Sequence, residues 1–173
     1  MPAVSALAPP AIPVPRFDEV YERHVGFVWR IARAFGVPAS AIEDAVQDVF
    51  VVVHRRLPEF EGRAAITTWL FAITKRVAFA HRRRETRTEP LAAEPRSSAD
   101  PFAAISRAEA AAIVAEILDT LDDDKRIVLA LVELEQLSVP EVAQLLEINL
   151  NTAYSRLRLA RAAFDAAVRR RKP

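Results

Sequence analysis

The stretch SVPEVAQLLEINLNTAYSRLRLAR (Ser138–Arg161) reads as two helices joined by a short break. Ser138 followed three residues later by Glu141 is a capping box, and Pro140 is tolerated in a first helical turn. Val142, Leu145 and Leu146 would face inward from the first helix. The break falls at Glu147-Ile148-Asn149, where Asn149 can cap a final helix from Leu150 to about Arg170. In that helix Ala153, Leu157, Ala160 and Phe164 form an inward stripe at helical spacing. Asn151, Tyr154, Ser155, Arg158 and Arg161 then face outward, with Thr152 and Arg156 at the flanks. Two helices with a three-residue break form a helix-turn-helix, and hydroxyls, an amide and arginines are what base edges and phosphates need from a recognition helix. An ordinary helical hairpin with a basic outer face would show the same pattern.

Outward from this segment, helices are predicted over about Arg107–Asp119 and about Asp124–Gln136, the latter with Val128, Leu131 and Val132 inward. Asp122-Asp123-Asp124 sits at a helix start, where acids complement the dipole, and is read so rather than as a cation site. Further back, residues 87–100 lose periodicity and carry Pro90, Pro95, Ser97 and Ser98, with Pro101 just beyond, which is linker composition. The N-terminal block reads as three helices. The first runs from about Phe17 to Phe35, with Val20, His24, Phe27, Val28, Ile31 and Phe35 in register and Gly36-Val37-Pro38 as the stop. The second runs to about Leu57, with Ser40 and Glu43 as a capping box. The third spans about Ala65–Glu85, with Ile66, Leu70, Ile73, Val77 and Ala80 as its core stripe. The expected layout is a leader at 1–15 (disordered, proline-rich), a domain at 16–87, a linker at 88–105 and a second domain at 106–173. The fold class is all-α: two small helical domains joined by a flexible linker.

Two surfaces of the first domain stand out. On the second helix Ile42, Val46, Val49 and Val53 satisfy the core, yet Phe50, Val51 and Val52 extend the apolar surface round it. Asp44, Gln47, Asp48 and Val51 share one face. A small domain does not bury a helix apolar nearly all round, so the surplus marks a protein interface unless a neighbouring helix covers it. On the third helix Thr68, Lys75, Arg76, Phe79, Arg82 and Arg83 fall on one side, after a loop from Phe60 to Thr67. Cations interleaved with an aromatic suit single-stranded nucleic acid, where phosphates need charge and unstacked bases need a flat partner. Trp69 reads as a core anchor at the edge of that face.

Composition narrows the chemistry. The 173 residues include no cysteine, which removes disulfides, thiolate catalysis and Cys-based zinc sites and fits a reducing cytoplasm. No apolar run of membrane-spanning length exists and the start lacks a basic n-region, so neither membrane insertion nor a secretory signal is expected. His24, His54 and His81 stand on separate helices without a carboxylate cluster, and no Gly-rich phosphate loop exists. The expectation is a protein that is not an enzyme and holds no cofactor and no metal. The net charge of +1 hides clustering: Arg82, Arg83, Arg84 and Arg87 close the first block, and Arg169, Arg170, Arg171 and Lys172 end the second. Cations gathered at helix ends suit a polyanion partner.

In order, these segments resemble the extracytoplasmic-function (ECF) group of the sigma-70 family of bacterial RNA polymerase sigma factors, from Phe17 to Arg170. EDAVQDVF (Glu43–Phe50) looks like the family's core-polymerase-binding helix. FEGRAAITTWLFAITKRVAFAHRRR (Phe60–Arg84) looks like its promoter-melting and −10-recognition segment, and LSVPEVAQLLEINLNTAYSRLRLAR (Leu137–Arg161) like its −35-binding helix-turn-helix. The resemblance implies a region 2 domain that docks on core polymerase through Asp44, Gln47, Asp48, Phe50 and Val51. It implies −10 contacts from Phe60, Arg63, Thr67, Thr68, Trp69, Lys75, Arg76, Phe79, Arg82 and Arg83. It implies a region 4 domain that reads the −35 element with Asn151, Thr152, Tyr154, Ser155, Arg156, Arg158 and Arg161. The implied partners are core RNA polymerase, promoter DNA and an anti-sigma factor, and the implied place is the cytoplasm. The family usually has asparagine where Arg76 stands, aspartate where Ala80 stands, glycine where Glu147 stands and lysine where Tyr154 stands; these departures bear on promoter sequence.

Two other readings explain less. A helix-turn-helix regulator with a sensing or dimerising N-terminal domain accounts for Leu137–Arg161 but not for the basic-aromatic helix or the surplus around Phe50. A small nucleic-acid enzyme needs a metal or acid-base cluster that the chain lacks.

Overall fold

A computed structural model describes residues 14–85 and 112–171. The leader up to Pro13, the linker at 88–105 and the predicted start at Arg107 lie outside the described residues. Among those described there is no strand.

Helix α1 (Phe17–Ala34) carries Asp18 and Glu19 in its first turn and Arg33 in its last, as the helix dipole favours. It buries Val20, Phe27, Val28 and Ile31. It ends in a Schellman turn: the Gly36 amide donates to the Arg33 carbonyl (2.8 Å) and the Val37 amide to that of Ala32 (3.1 Å). Gly36 holds φ 82°, where a side chain would be strained. Helix α2 (Ile42–Arg56) follows a 3₁₀ turn, Ala39–Ala41. The predicted Ser40 cap is therefore displaced: Ser40 lies inside that turn, and Ala41 precedes the helix without a side-chain cap. After a second 3₁₀ turn (Leu57–Glu59), helix α3 (Ile66–Glu85) packs on both α1 and α2. Thr67 thus belongs to its first turn and not to the loop. Contact on two sides also shifts the predicted stripe. Leu70, Phe71, Ile73, Thr74, Ala78 and His81 are buried, whereas Ile66, Val77 and Ala80 are half-buried.

In the C-terminal half, residues 112–119 are helical (α4). Helix α5 (Asp123–Leu129) is capped by Asp122, whose carboxylate accepts the Lys125 amide at 2.9 Å. It continues as a π-helical turn, Ala130–Leu134, instead of the uniform helix predicted to Gln136. Helix α6 (Val139–Leu146) starts with the expected Ser138–Glu141 capping box. It stops where Glu147 takes φ 57° and Ile148 donates to the Ala143 carbonyl at 2.9 Å. Glu147 thus occupies the left-handed position that Gly36 fills after α1. Asn149 caps α7 (Leu150–Arg171) by accepting the Asn151 amide at 2.8 Å. Of the predicted inward residues of the helix-turn-helix, Val142, Ala153, Leu157 and Ala160 are buried, and Leu145, Leu146 and Phe164 are half-buried against the same core.

The buried residues of the two halves join in one cluster, from Val20 on α1 to Ala160 on α7. Ion pairs line the junction. Arg30 forks onto Glu135, 105 residues away, with Nη2 2.9 Å from Oε2; Arg33 reaches Asp119 at 2.7 Å; Arg82 meets Asp123.

Candidate polymerase and nucleic-acid interfaces

On α2, Asp44, Gln47 and Asp48 are exposed and Val51 is 42% exposed, as the sequence predicts for a docking face. Phe50 is not on that face. It is 4% exposed and sits under the α1 aromatics, its ring 4.7 Å from Tyr21 and 6.3 Å from Phe17. The rotation that sets Val51 outward turns Phe50 towards α1, so it supports the face from beneath. An open groove of about 730 Å³ runs between α1 and α2, with Tyr21, Val25 and Trp29 on one wall and Gln47 and Val51 on the other. Tyr21 and Trp29, 44% and 43% exposed, were missed in the sequence. Their signal is a second apolar row on α1, Tyr21-Val25-Trp29 at four-residue spacing, beside the core row.

On α3 the predicted basic-aromatic side is present: Thr68, Arg76 and Arg83 are exposed and Phe79 is 40% exposed. Lys75 is half-buried. Phe79 rests its other side on Phe35, 5.6 Å between centroids. Trp69 is half-buried against Phe60 at 5.2 Å, the expected anchor at the edge of the face. Arg63 is exposed in the loop and pairs with Glu61. Arg82 is drawn to the junction, donating to the Phe35 carbonyl of its own domain at 3.0 Å and pairing with Asp123 of the other. His81 is not isolated as expected, since its Nε2 lies 2.8 Å from Asp48 Oδ2 and ties α3 to α2. That is a pair and not a ligand set; among the described residues no three His, Cys, Asp or Glu side chains gather as a metal site would need.

On α7, Asn151, Thr152, Tyr154, Ser155, Arg158 and Arg161 all face solvent, and Arg156 is half-buried. Arg156 pairs with Asp124 and Arg161 with Glu133 at 2.7 Å, both on the helix that supports α7. These two cations also brace the motif, while Arg158 makes no ion pair with a described residue.

Two family models match the chain: Sigma-70 region 2 over residues 20–88 and Sigma-70 region 4 over residues 111–164. The chain belongs to the sigma-70 family. Its ECF group is shown by curated relatives. The ECF RNA polymerase sigma-E factor of Escherichia coli is 30% identical over 145 residues, spanning 76% of each chain. The RNA polymerase sigma factor NccH of Alcaligenes xylosoxydans is 28% identical over 158 residues, spanning 87% of this chain and 85% of the relative. Among solved structures, CnrH in complex with the cytosolic domain of CnrY aligns over 90% of this chain and 89% of its own, with TM-score 0.63 and 28% identity. The sigma factor RpoE of Bartonella quintana, in complex with the anti-sigma factor NepR, covers 90% and 98% at TM-score 0.68 and shares the fold at 19% identity.

As a sigma factor the chain acts in transcription initiation, with core RNA polymerase and promoter DNA as its partners. Its family is regulatory and not catalytic. The region 2 match accounts for the N-terminal half in place of a sensing or dimerising domain. No described helix is long and apolar enough to cross a membrane.

Proposed function

We propose a division of labour along the chain. Residues 16–87 dock on the clamp helices of core polymerase and engage the −10 element; residues 106–173 place α7 in the major groove at the −35 element. Asp44, Gln47, Asp48 and Val51 supply the docking face, with Phe50 holding it from beneath. Phe60, Arg63, Thr67, Thr68 and Trp69 frame the position of an unstacked non-template base, and Lys75, Arg76, Phe79, Arg82 and Arg83 carry its strand. Flipping a base costs a few kcal/mol, which stacking and charge at this face offset. The chain carries out no chemistry of its own, holds no cofactor and works in the cytoplasm beside its polymerase. An anti-sigma factor is a further proposed partner, by analogy with the RpoE–NepR complex.

The observation that supports this most is separation. The apolar groove of α1 and α2, the basic side of α3 and the polar side of α7 are three different surfaces of one chain. The test is transcription in vitro with purified chain and core polymerase on a pool of bacterial promoters. Promoter-specific starts are expected only when both are present; their absence overturns the reading.

A further inference from the structure

We propose that residues 1–13 of the chain lie back along the groove between α1 and α2 and cover it until core polymerase takes their place. The proposal rests on the assignment of that groove to the polymerase. The groove is apolar and open among the described residues, with Tyr21, Val25 and Trp29 on one wall, Val51 on the other and Phe50 beneath. Three of the large apolar side chains that the described residues leave exposed, Tyr21, Trp29 and Val51, stand on it. A fourth, Val14, lies three residues before α1. Apolar surface gathered in one place gains free energy by being covered.

The sequence ahead of α1 suits this surface. MPAVSALAPPAIP (Met1–Pro13) carries no charged side chain, and its one polar side chain is Ser5. Seating it in the groove therefore desolvates no charge. Its proline-rich end, with Pro10-Ala11-Ile12-Pro13 as a P-x-x-P run, favours the extended polyproline form. That form loses little entropy on docking and packs its prolines against aromatic side chains. The spacings agree. Pro9 to Pro13 is four steps of about 3.1 Å, about 12 Å in all. Tyr21 to Trp29 is eight steps of about 1.5 Å along α1, also about 12 Å. Reach is sufficient. The groove runs about 18 Å from Phe17 to Trp29, and residues 1–13 span about 40 Å when extended. The chain has only to reverse at Val14–Arg16, which belong to no helix. Attachment favours this occupant over a second copy of the chain. A segment tethered to one end of the groove is present at about 1 mM whatever the protein concentration. Binding with a Kd of about 0.5 mM would then fill about two-thirds of the grooves and weaken core binding about threefold.

Trp69→Phe leaves Trp29 as the single tryptophan, so fluorescence reads the groove directly. In that background, acrylamide quenching of Trp29 should rise by up to about threefold when residues 2–13 are deleted, in proportion to the uncovered fraction. Ile12→Asp, which puts a charge into the segment without shortening it, should act in the same direction. A synthetic peptide of residues 1–13, added at millimolar concentration, should restore the protection to the shortened chain. The second readout is affinity for core polymerase, which should be about threefold tighter for the shortened chain and should also tighten with Ile12→Asp. Equal quenching with and without residues 2–13, in chains that circular dichroism shows to be folded, overturns the seat. Protection of the full chain that grows with protein concentration gives the groove to a second copy and overturns the seat as well. Release of Trp29 without tighter core binding overturns the competition. Val51→Asp in the shortened chain tests the underlying assignment separately: weaker core binding supports the docking face, and indifference overturns that assignment while the quenching result still decides where residues 1–13 lie.

Discussion

His81 and Asp48 meet between α3 and α2, with Nε2 2.8 Å from Oδ2, and the histidine is 8% exposed. Asp48 is thus shared between two tasks, facing the proposed polymerase surface while satisfying a buried ring nitrogen behind it. Asp44, one turn earlier and exposed, is not tied to His81. Asp48→Ala is therefore expected to cost about 1–2 kcal/mol of stability by leaving His81 without its partner. Asp44→Ala should stay within about 0.5 kcal/mol of wild type. Both should weaken core-polymerase binding. Urea unfolding and fluorescence titration with core separate the two effects; equal stability of the two variants would show that the His81 contact contributes nothing.

Glu147 holds φ 57° at the end of α6, a region that costs a residue with a Cβ of order 1 kcal/mol and costs glycine nothing. Glu147→Gly should stabilise the chain by about 0.5–1 kcal/mol, after the added chain entropy of glycine in the unfolded state. Glu147→Ala, which keeps the Cβ, should bring no such gain. Thermal melts of the three proteins test this, and a stabilising alanine would place the effect in the charge of Glu147 and not in its backbone.

The helix-turn-helix was legible because its determinants are local. The Ser138–Glu141 box, the break at Glu147 and the Asn149 cap each act within a few residues, and the inward row of Ala153, Leu157 and Ala160 needs only helical spacing. The failures share the opposite cause. Phe50 read as surface because the far side of its ring is closed by Phe17 and Tyr21 on another helix. Arg82 read as a free DNA contact because Asp123 comes from the second domain. No periodicity announces Arg30 with Glu135, since either residue alone is an ordinary charge on a helix. The π turn at Ala130–Leu134 leaves a hydrophobic pattern that a regular helix would also give.

Acid should weaken the two domains in different ranges. Burial first, and Arg23 second, hold His24 below its ordinary 6.5. The folded state thus prefers the neutral ring, and its contribution, full above 6.5, erodes as pH falls below that value. Hydrogen bonds from the Lys125 side chain and then its backbone hold Asp122 below 3.8, and those of Ser138 hold Glu141 below 4.5. Both depressed carboxylates stabilise the fold above their ordinary values and lose that effect as pH falls through the lowered ones. Tryptophan fluorescence, from Trp29 and Trp69 in the N-terminal domain, should therefore report weakening at higher pH than an α7 probe at Tyr154. Asp122→Ala should cost about 1 kcal/mol at neutral pH, as loss of an N-cap does, and flatten the lower limb. An unchanged acid limb in that variant would remove Asp122 from the account.

Arg156, Arg158 and Arg161 of α7 should separate by what already holds them. Arg156 and Arg161 pair with Asp124 and Glu133, so each must leave or share a carboxylate to meet DNA. Arg158 is exposed and makes no ion pair with a described residue. It is the guanidinium best placed to fork onto a guanine edge, where a good contact contributes about 1–3 kcal/mol of discrimination. Arg158→Ala in the holoenzyme should lose about that much at the −35 element and relax preference at one base position. Arg161→Ala should weaken all promoters alike and lower the slope of log K against log salt by about 1, as loss of a phosphate contact does. Filter binding over a set of −35 variants at several salt concentrations distinguishes them. A uniform loss for Arg158→Ala with the same change of slope would move that residue from the bases to the backbone, and base reading on α7 would then fall to Asn151, Thr152, Tyr154 and Ser155.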